Sequence, residues 1–209
     1  INADDFVARN LTIENVAGDV GQAVALAVNA NRAVFTDIRL VGNQDTLYVT
    51  GEGNRMFFDA CYIEGTTDFI FGSASAVFRD CTIHSKANSY VTAASTPEFA
   101  DFGLVFIGAR LAAAPGIKAV YLGRPWREHA QTVFINSLLG GHIVAAGWHN
   151  WNKAEAEVTS FFAEYNSRGA GGKRAGREDW SKQLNADEAA GYTVDRLLRS
   201  KKYPDWWMR

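Results

Sequence analysis

A short phrase recurs along the chain: an apolar pair, two residues that are often polar, then alternating apolar positions. It reads Val7-Ala8-Arg9-Asn10-Leu11-Thr12-Ile13, Val34-Phe35-Thr36-Asp37-Ile38-Arg39-Leu40, Phe57-Phe58-Asp59-Ala60-Cys61-Tyr62-Ile63 and Val77-Phe78-Arg79-Asp80-Cys81-Thr82-Ile83. Looser copies begin at Val105 and Val133, and a last candidate begins at Phe161. Start-to-start spacings are 27, 23, 20, 28, 28 and 28 residues. Self-similarity at such a period is the mark of stacked repeats. The units are β-branched and aromatic, alternate with period two, and show almost no helical 3.6-residue pattern before residue 180. Leucine-rich repeats would need a fixed Leu and Asn spacing that is missing, and propeller blades a longer period. The pattern predicts an all-β, single-stranded parallel β-helix, whose coils differ in length at the loops that build a binding face.

Composition fits one domain over 1–209: hydrophobic residues make up 47% of the chain and aromatic residues 12%, enough to fill stacked core layers. The formal net charge of −2, with both signs interleaved, gives no polybasic surface for nucleic acid or lipid headgroups. No apolar run reaches membrane-spanning length. The chain starts at Ile1 inside a strand-like segment, so the first coil is expected to present an uncovered strand edge. Cys61 and Cys81 fill the same slot of neighbouring copies, which suits either two buried thiols or a disulfide between adjacent coils. From about Trp180 the texture changes. Asn185 reads as a helix N-cap with Glu188 at the capping-box position, giving a short helix to about Gly191. The tail Lys201-Lys202-Tyr203-Pro204-Asp205-Trp206-Trp207 is expected to pack on the solenoid's flank. Gly169-Ala170-Gly171-Gly172-Lys173-Arg174 reads as a loop, since the Gly-Lys-Ser/Thr ending of a phosphate cradle is absent.

The repeat register gives two acids a special relation. Asp45 lies 11 residues past Val34, and Asp68 lies 11 past Phe57. Equal offsets on consecutive coils place their side chains about one strand spacing apart, roughly 4.8 Å. Two carboxylates so close cannot both ionise freely, so one should hold a proton near neutral pH while the other serves as base or nucleophile. Such a pair suits a retaining glycosidase or acyl transfer through an attacking aspartate. Gln44 precedes Asp45, and Gln22 lies on the preceding coil. Neutral amide donors beside a nucleophile suit an oxyanion hole, which favours acyl chemistry. Arg124 and Trp126, two residues apart in Tyr121-Leu122-Gly123-Arg124-Pro125-Trp126, offer a bidentate partner for a carboxylate and a flat face for a sugar ring. Alone, each residue has a plainer role: an Asp after a strand is commonly a turn former, and a Gln in a ladder commonly a satisfied amide. His84, His129, His142 and His149 lack metal-ligand spacing, and no Gly-x-Ser-x-Gly surrounds a serine.

Three segments in order, Gly42-Asn43-Gln44-Asp45-Thr46-Leu47-Tyr48, Gly65-Thr66-Thr67-Asp68-Phe69-Ile70-Phe71-Gly72 and Leu122-Gly123-Arg124-Pro125-Trp126, resemble the pectin methylesterases of carbohydrate esterase family 8. The resemblance extends from about Phe6 to the 180–184 segment, taking in Gln22-Ala23-Val24-Ala25-Leu26, Trp148 to Trp151, and Phe162-Ala163-Glu164-Tyr165-Asn166. It implies a right-handed β-helix that hydrolyses the C6 methyl ester of galacturonate in pectin, the methyl-esterified homogalacturonan, without metal or organic cofactor. By position, Asp68 is then the nucleophile, Asp45 the general acid and later base, and Gln22 and Gln44 the oxyanion amides. Arg124 orients Asp68 and keeps it ionised, while Trp126 and Phe71 contact sugar. Thr67 stands where the family usually has Val, beside the nucleophile, and is expected to alter a substrate contact. The family's N-terminal Gly-x-Tyr-x-Glu stretch is absent from this chain. A secreted monomer is the implied setting. The rivals are another pectin-degrading β-helical hydrolase or lyase, and a catalytically inactive carbohydrate-binding solenoid. A lyase would want a cluster of several carboxylates around Ca²⁺, and only Asp45 and Asp68 pair convincingly.

Overall fold

The computed structural model describes residues 1–200 and 202–208. Its strands pair in parallel and stack into three sheets, the parallel β-helix expected from the repeat. Sheet A has eight strands: Val7–Arg9, Ala33–Thr36, Arg55–Asp59, Ser75–Arg79, Leu104–Ile107, Gln131–Ile135, Phe161–Tyr165 and Lys182–Gln183. Sheet B has six, from Thr12–Glu14 to Leu138–Leu139. Sheet C has five: Leu26–Val28, Leu47–Val49, Ile70–Gly72, Tyr90–Ala94 and Tyr121–Pro125. Each sheet ends on its first-coil strand, and Val16 and Val20 nearby are largely exposed.

The apolar pair of the repeat serves two cores. Its second residue points inward, where Phe35, Phe58, Phe78, Phe106 and Phe134 stack at 4.6, 4.8, 4.6 and 4.5 Å between ring centres. Those distances are the spacing of adjacent strands, so in-register pairing alone brings the rings into contact. The first residue points outward. Val34, Phe57, Val77, Val105 and Val133 form a second apolar cluster with Leu184, Ala189, Leu198, Trp206 and Trp207. The described residues also form three short α-helices, α1 (Ala156–Thr159), α2 (Ala186–Ala189) and α3 (Val194–Leu198), and a 3-10 turn at Trp206–Met208. Asn185 caps α2 with a full capping box to Glu188, as its sequence predicts. Thr193 caps α3, a helix that its five residues are too few to announce by periodicity. The Trp206 indole N–H donates to the Leu198 carbonyl at 2.8 Å, tying the tail to α3. The Lys201 position of the tail lies outside the described residues, as does Arg209.

Six of the seven repeat starts, Val7 to Val133, are Cα partners down sheet A. The seventh differs. Val133 pairs with Ala163 rather than Phe161. A slip of two residues leaves the same side chains facing inward, so alternation could not tell the two registers apart. The corner after each strand does. Asn10, Asp37, Ala60, Asp80, Gly108, Asn136 and Asn166 all have φ between 51° and 67°. Each lies three residues past a repeat start, and Asn166 counts from Ala163. Asn, Asp and Gly are the residues that tolerate this left-handed conformation.

Cys61 and Cys81 are free, buried thiols in sheet order. Each donates weakly to backbone carbonyls, Cys61 to Asp59 at 3.3 Å and Cys81 to Arg79 at 3.4 Å. Burial raises the Cys81 thiol well above its ordinary range.

Candidate active site

The corner between sheets B and C holds the two acids. Asp45 and Asp68 both adopt left-handed backbone, with φ of 65° and 49°. Each peptide N–H donates to the next coil: Asp45 to Thr67 O at 3.1 Å, Asp68 to Tyr90 O at 2.9 Å. The strands that follow pair Leu47 with Ile70, two residues past each acid, so the acids occupy equivalent places on successive coils. Both are buried, at 6% exposure.

Beside them, the outer face of sheet C forms a ladder of Cα partners, Ala27, Tyr48, Phe71, Ala93 and Arg124. Tyr48 and Phe71 stack at 4.6 Å. Ala93 is the short rung. Across it Arg124 reaches Asp68 and grips it with two bonds, Nε to Oδ1 at 2.9 Å and Nη2 to Oδ2 at 2.6 Å. The guanidinium lies between two rings, its carbon 3.9 Å from the Tyr90 centre and 3.5 Å from that of Trp151. Such contacts fix the plane of the fork.

Gln22, Gln44, Asp45, Asp68, Phe71, Ala93, Arg124, Trp126 and Trp151 line one cavity of about 180 Å³. Seven of the eight residues singled out from sequence thus converge there. The eighth, Thr67, does not line it. Its hydroxyl pairs with that of Ser89 at 2.8 Å, and its contribution to the site is the carbonyl that receives Asp45 N–H. Trp126 meets Phe71 and Tyr48 edge-on, with ring centres 5.8 and 6.4 Å apart. Sequence reasoning passed over Tyr90 and Trp151 as the walls of Arg124. Tyr90 was in principle legible, since it opens the strand on the coil that follows Asp68; Trp151 stands on a loop that no repeat positions.

The two carboxyls differ in character. Asp45 is pushed up to about 6, first by burial, then by the Asp68 charge, against a hydrogen bond from Gln22 and the charge of Arg124. Mutual repulsion, the cause expected from the sequence, is therefore the second influence and desolvation the first. Burial also raises Asp68, and the Arg124 fork opposes it both as a hydrogen-bond donor and as a charge. Asp68 has a cation in direct contact and Asp45 does not, which favours the charged form more at Asp68 than at Asp45.

Comparisons with known proteins give this chain a family. The Pectinesterase family profile matches residues 1–201. Pectinesterase QRT1 of Arabidopsis thaliana is 38% identical over 217 residues, covering all of this chain and 55% of that protein. Pectinesterase 1 of Citrus sinensis is 42% identical, over 96% of this chain and 37% of its own length. The chain thus spans about half or less of these relatives. Among solved structures, the pectin methylesterase from carrot superposes with a TM-score of 0.86 at 35% identity, over 94% of this chain and 67% of that one. A pectin methylesterase in complex with a hexasaccharide gives 0.78 at 32% identity, over 94% and 70%. By sequence and by fold, the chain belongs to the pectinesterase family.

Proposed function

We propose that this chain is a carboxylic ester hydrolase that removes the C6 methyl ester of galacturonate in pectin. The observation that favours it most is the asymmetric acid pair: Asp68 forked by Arg124, with Asp45 raised to about 6 in the same cavity. In this reading an Asp68 oxygen attacks the ester carbonyl carbon, and the Gln22 and Gln44 amides stabilise the oxyanion that forms. Collapse breaks the bond to methoxide, which takes the Asp45 proton and leaves as methanol. Asp45, now ionised, accepts a proton from water as the hydroxide attacks the acyl group on Asp68. Free galacturonate leaves, Asp68 regains its charge, and Asp45 regains its proton. Arg124 aims the attacking carboxylate throughout. Phe71 and Trp126 give the sugar an apolar wall, and Thr67 holds the backbone of Asp45. The solenoid and the segment from about 180 act as one domain, working as a secreted monomer on a polymer outside the cell, with no cofactor or metal.

Methanol release from highly methylated pectin, followed beside reducing ends and unsaturated products, tests the proposal. Methanol with an uncut polymer is the expected result. Chain scission without methanol would point to a hydrolase or lyase, and binding without either product to a sugar-binding solenoid.

Asp45→Asn separates chemistry from stability. An amide cannot cycle a proton, so turnover should fall steeply at every pH. Its stability should change in the opposite sense. Because the folded carboxyl sits at about 6 against an ordinary 3.8, wild type loses stability as pH rises through that window. The variant has no such loss and should exceed wild type by about 1–2 kcal/mol above pH 7, with the difference fading below pH 4. Urea midpoints across pH measure it; a variant less stable than wild type at pH 8 contradicts the assignment.

A further inference from the structure

The loop His149–Asn152 brings Trp151 over Arg124, and it is built in an unusual way. Trp151 and Asn152 both have left-handed backbone, with φ of 59° and 56°. For Trp, with its bulky side chain, that conformation is costly and persists only where the surroundings enforce it. Two side chains enforce it here. Asn150 Oδ1 accepts the Asn152 N–H at 2.8 Å, and His149 Nδ1 accepts the Trp151 N–H at 2.9 Å. The imidazole is itself fixed, edge-on to Tyr90 and Tyr121 with ring centres 5.4 and 5.3 Å away, and its backbone N–H donates to Gly123 O at 3.1 Å. A continuous path of contact therefore runs from His149 to Trp151, from Trp151 to Arg124, and from Arg124 to Asp68.

We propose that His149 is a positioning residue for ester cleavage, which holds the Trp151 indole on Arg124 only while its Nδ1 is unprotonated. This rests on the catalytic reading of Arg124 and Asp68. An imidazole nitrogen that accepts a backbone N–H has no proton of its own. Once Nδ1 is protonated, two N–H groups face each other and the turn loses the bond that holds its left-handed backbone. Histidine changes charge between about pH 5 and 8. Trp151 then leaves the guanidinium, and the fork that aims Asp68 loses one of its two walls. The titratable groups packed on the imidazole are Tyr90 and Tyr121 from sheet C; one contact further out, Arg124 lies over Tyr90, Lys153 over Trp151, and Glu157 of α1 accepts from Asn150. Activity is lost as pH falls, in the direction opposite to any loss caused by deprotonating Asp45.

Two substitutions and two readouts test this. His149→Leu removes the acceptor, while His149→Asn supplies a carbonyl oxygen that cannot titrate, in the geometry Asn150 already uses. Trp151 emission is isolated by subtracting a Trp151→Phe variant, and kcat/KM for methylated pectin is followed from pH 5 to 8. In wild type, Trp151 emission should change with a single proton as pH falls. His149→Leu should show the low-pH emission already at pH 8, with kcat/KM down about 10- to 100-fold, the scale of a misplaced catalytic group. His149→Asn should restore kcat/KM and abolish the emission change. The same emission change in wild type and His149→Asn overturns the proposal, as does Trp151 emission in His149→Leu that matches wild type. If His149→Leu fails to fold, the His149→Asn titration decides alone. If wild type releases no methanol, the esterase reading fails while the emission titration still judges the hold of His149 on Trp151.

Discussion

Asp68→Ala is expected to release no measurable methanol from methylated pectin, a fall in kcat of about 10⁴-fold or more. Without the carboxylate no covalent acyl group can form, and neither Asp45 nor the glutamine amides can take its place at the end of the Arg124 fork. The fold should survive. Asp68 is a buried carboxyl whose own desolvation is unfavourable, and its backbone bond to Tyr90 O does not depend on the side chain. Arg124 loses its partner but keeps Tyr90 and Trp151 on its two faces. The variant should therefore give wild-type circular dichroism, with a lowered urea midpoint because the largely buried Arg124 loses its carboxylate partner. Wild-type methanol turnover in Asp68→Ala would refute the nucleophile assignment.

The largest effect on stability is expected far from the acids. On the last full coil, Glu164 pairs with Phe134 and so takes the inward slot that the phenylalanine ladder fills elsewhere. It is 1% exposed. Arg177 closes over it with Nε to Oε1 at 2.6 Å and Nη2 to Oε2 at 3.2 Å. The remaining guanidinium hydrogens go to the carbonyls of Val144, Ala145 and Gly171. Arg177 thus ties the loop after Phe161–Tyr165 to the end of the core. Arg177→Met removes the charge but keeps an apolar stem, leaving the Glu164 carboxyl buried without its partner. Breaking such a pair costs about 3–5 kcal/mol. The urea midpoint should drop accordingly, and Glu164→Gln added to Arg177→Met should recover part of the loss, because the amide carries no charge to desolvate. A loss under about 1 kcal/mol in Arg177→Met would mean that water or Gln183, 3.5 Å from Glu164, already satisfies the carboxylate.

Much of this was legible in the repeat. Counting from its starts placed Asp45 above Asp68, and it placed Cys61 and Cys81 in one slot. Three residues past the starts from Val7 to Val133 the structure has a left-handed corner, filled by Asn, Asp or Gly except at Ala60. Legibility failed where that count stopped. The shift from Phe161 to Ala163 was hidden by period two. The shift also set Glu164, in place of Phe162, opposite Phe134, so the rung that carries the charge could not be foreseen. The outer residue of each apolar pair asked for a cover; Trp206 and Trp207 of the tail were expected on the solenoid's flank and are found there, whereas α3, which joins them along sheet A, was not foreseen. Trp151 reaches Arg124 from a loop whose shape depends on two side-chain acceptors, a local device that hydrophobic patterning does not register.

The corner that carries the acids has a consequence for how such a site can vary. The backbone of Asp45 is held one coil from that of Asp68 by the 3.1 Å hydrogen bond from its peptide N–H to Thr67 O, and the like bond of 2.9 Å ties Asp68 to Tyr90 O on the coil beyond. The backbone distance between the two acids is therefore quantised. It is one coil, and the next value the scaffold offers is two. Loops on either side can lengthen, shorten or change sequence without tuning it by fractions of an ångström. Variation in this solenoid is free to reshape what the groove admits while the backbones of the two acids stay one coil apart, set by the pitch of the helix.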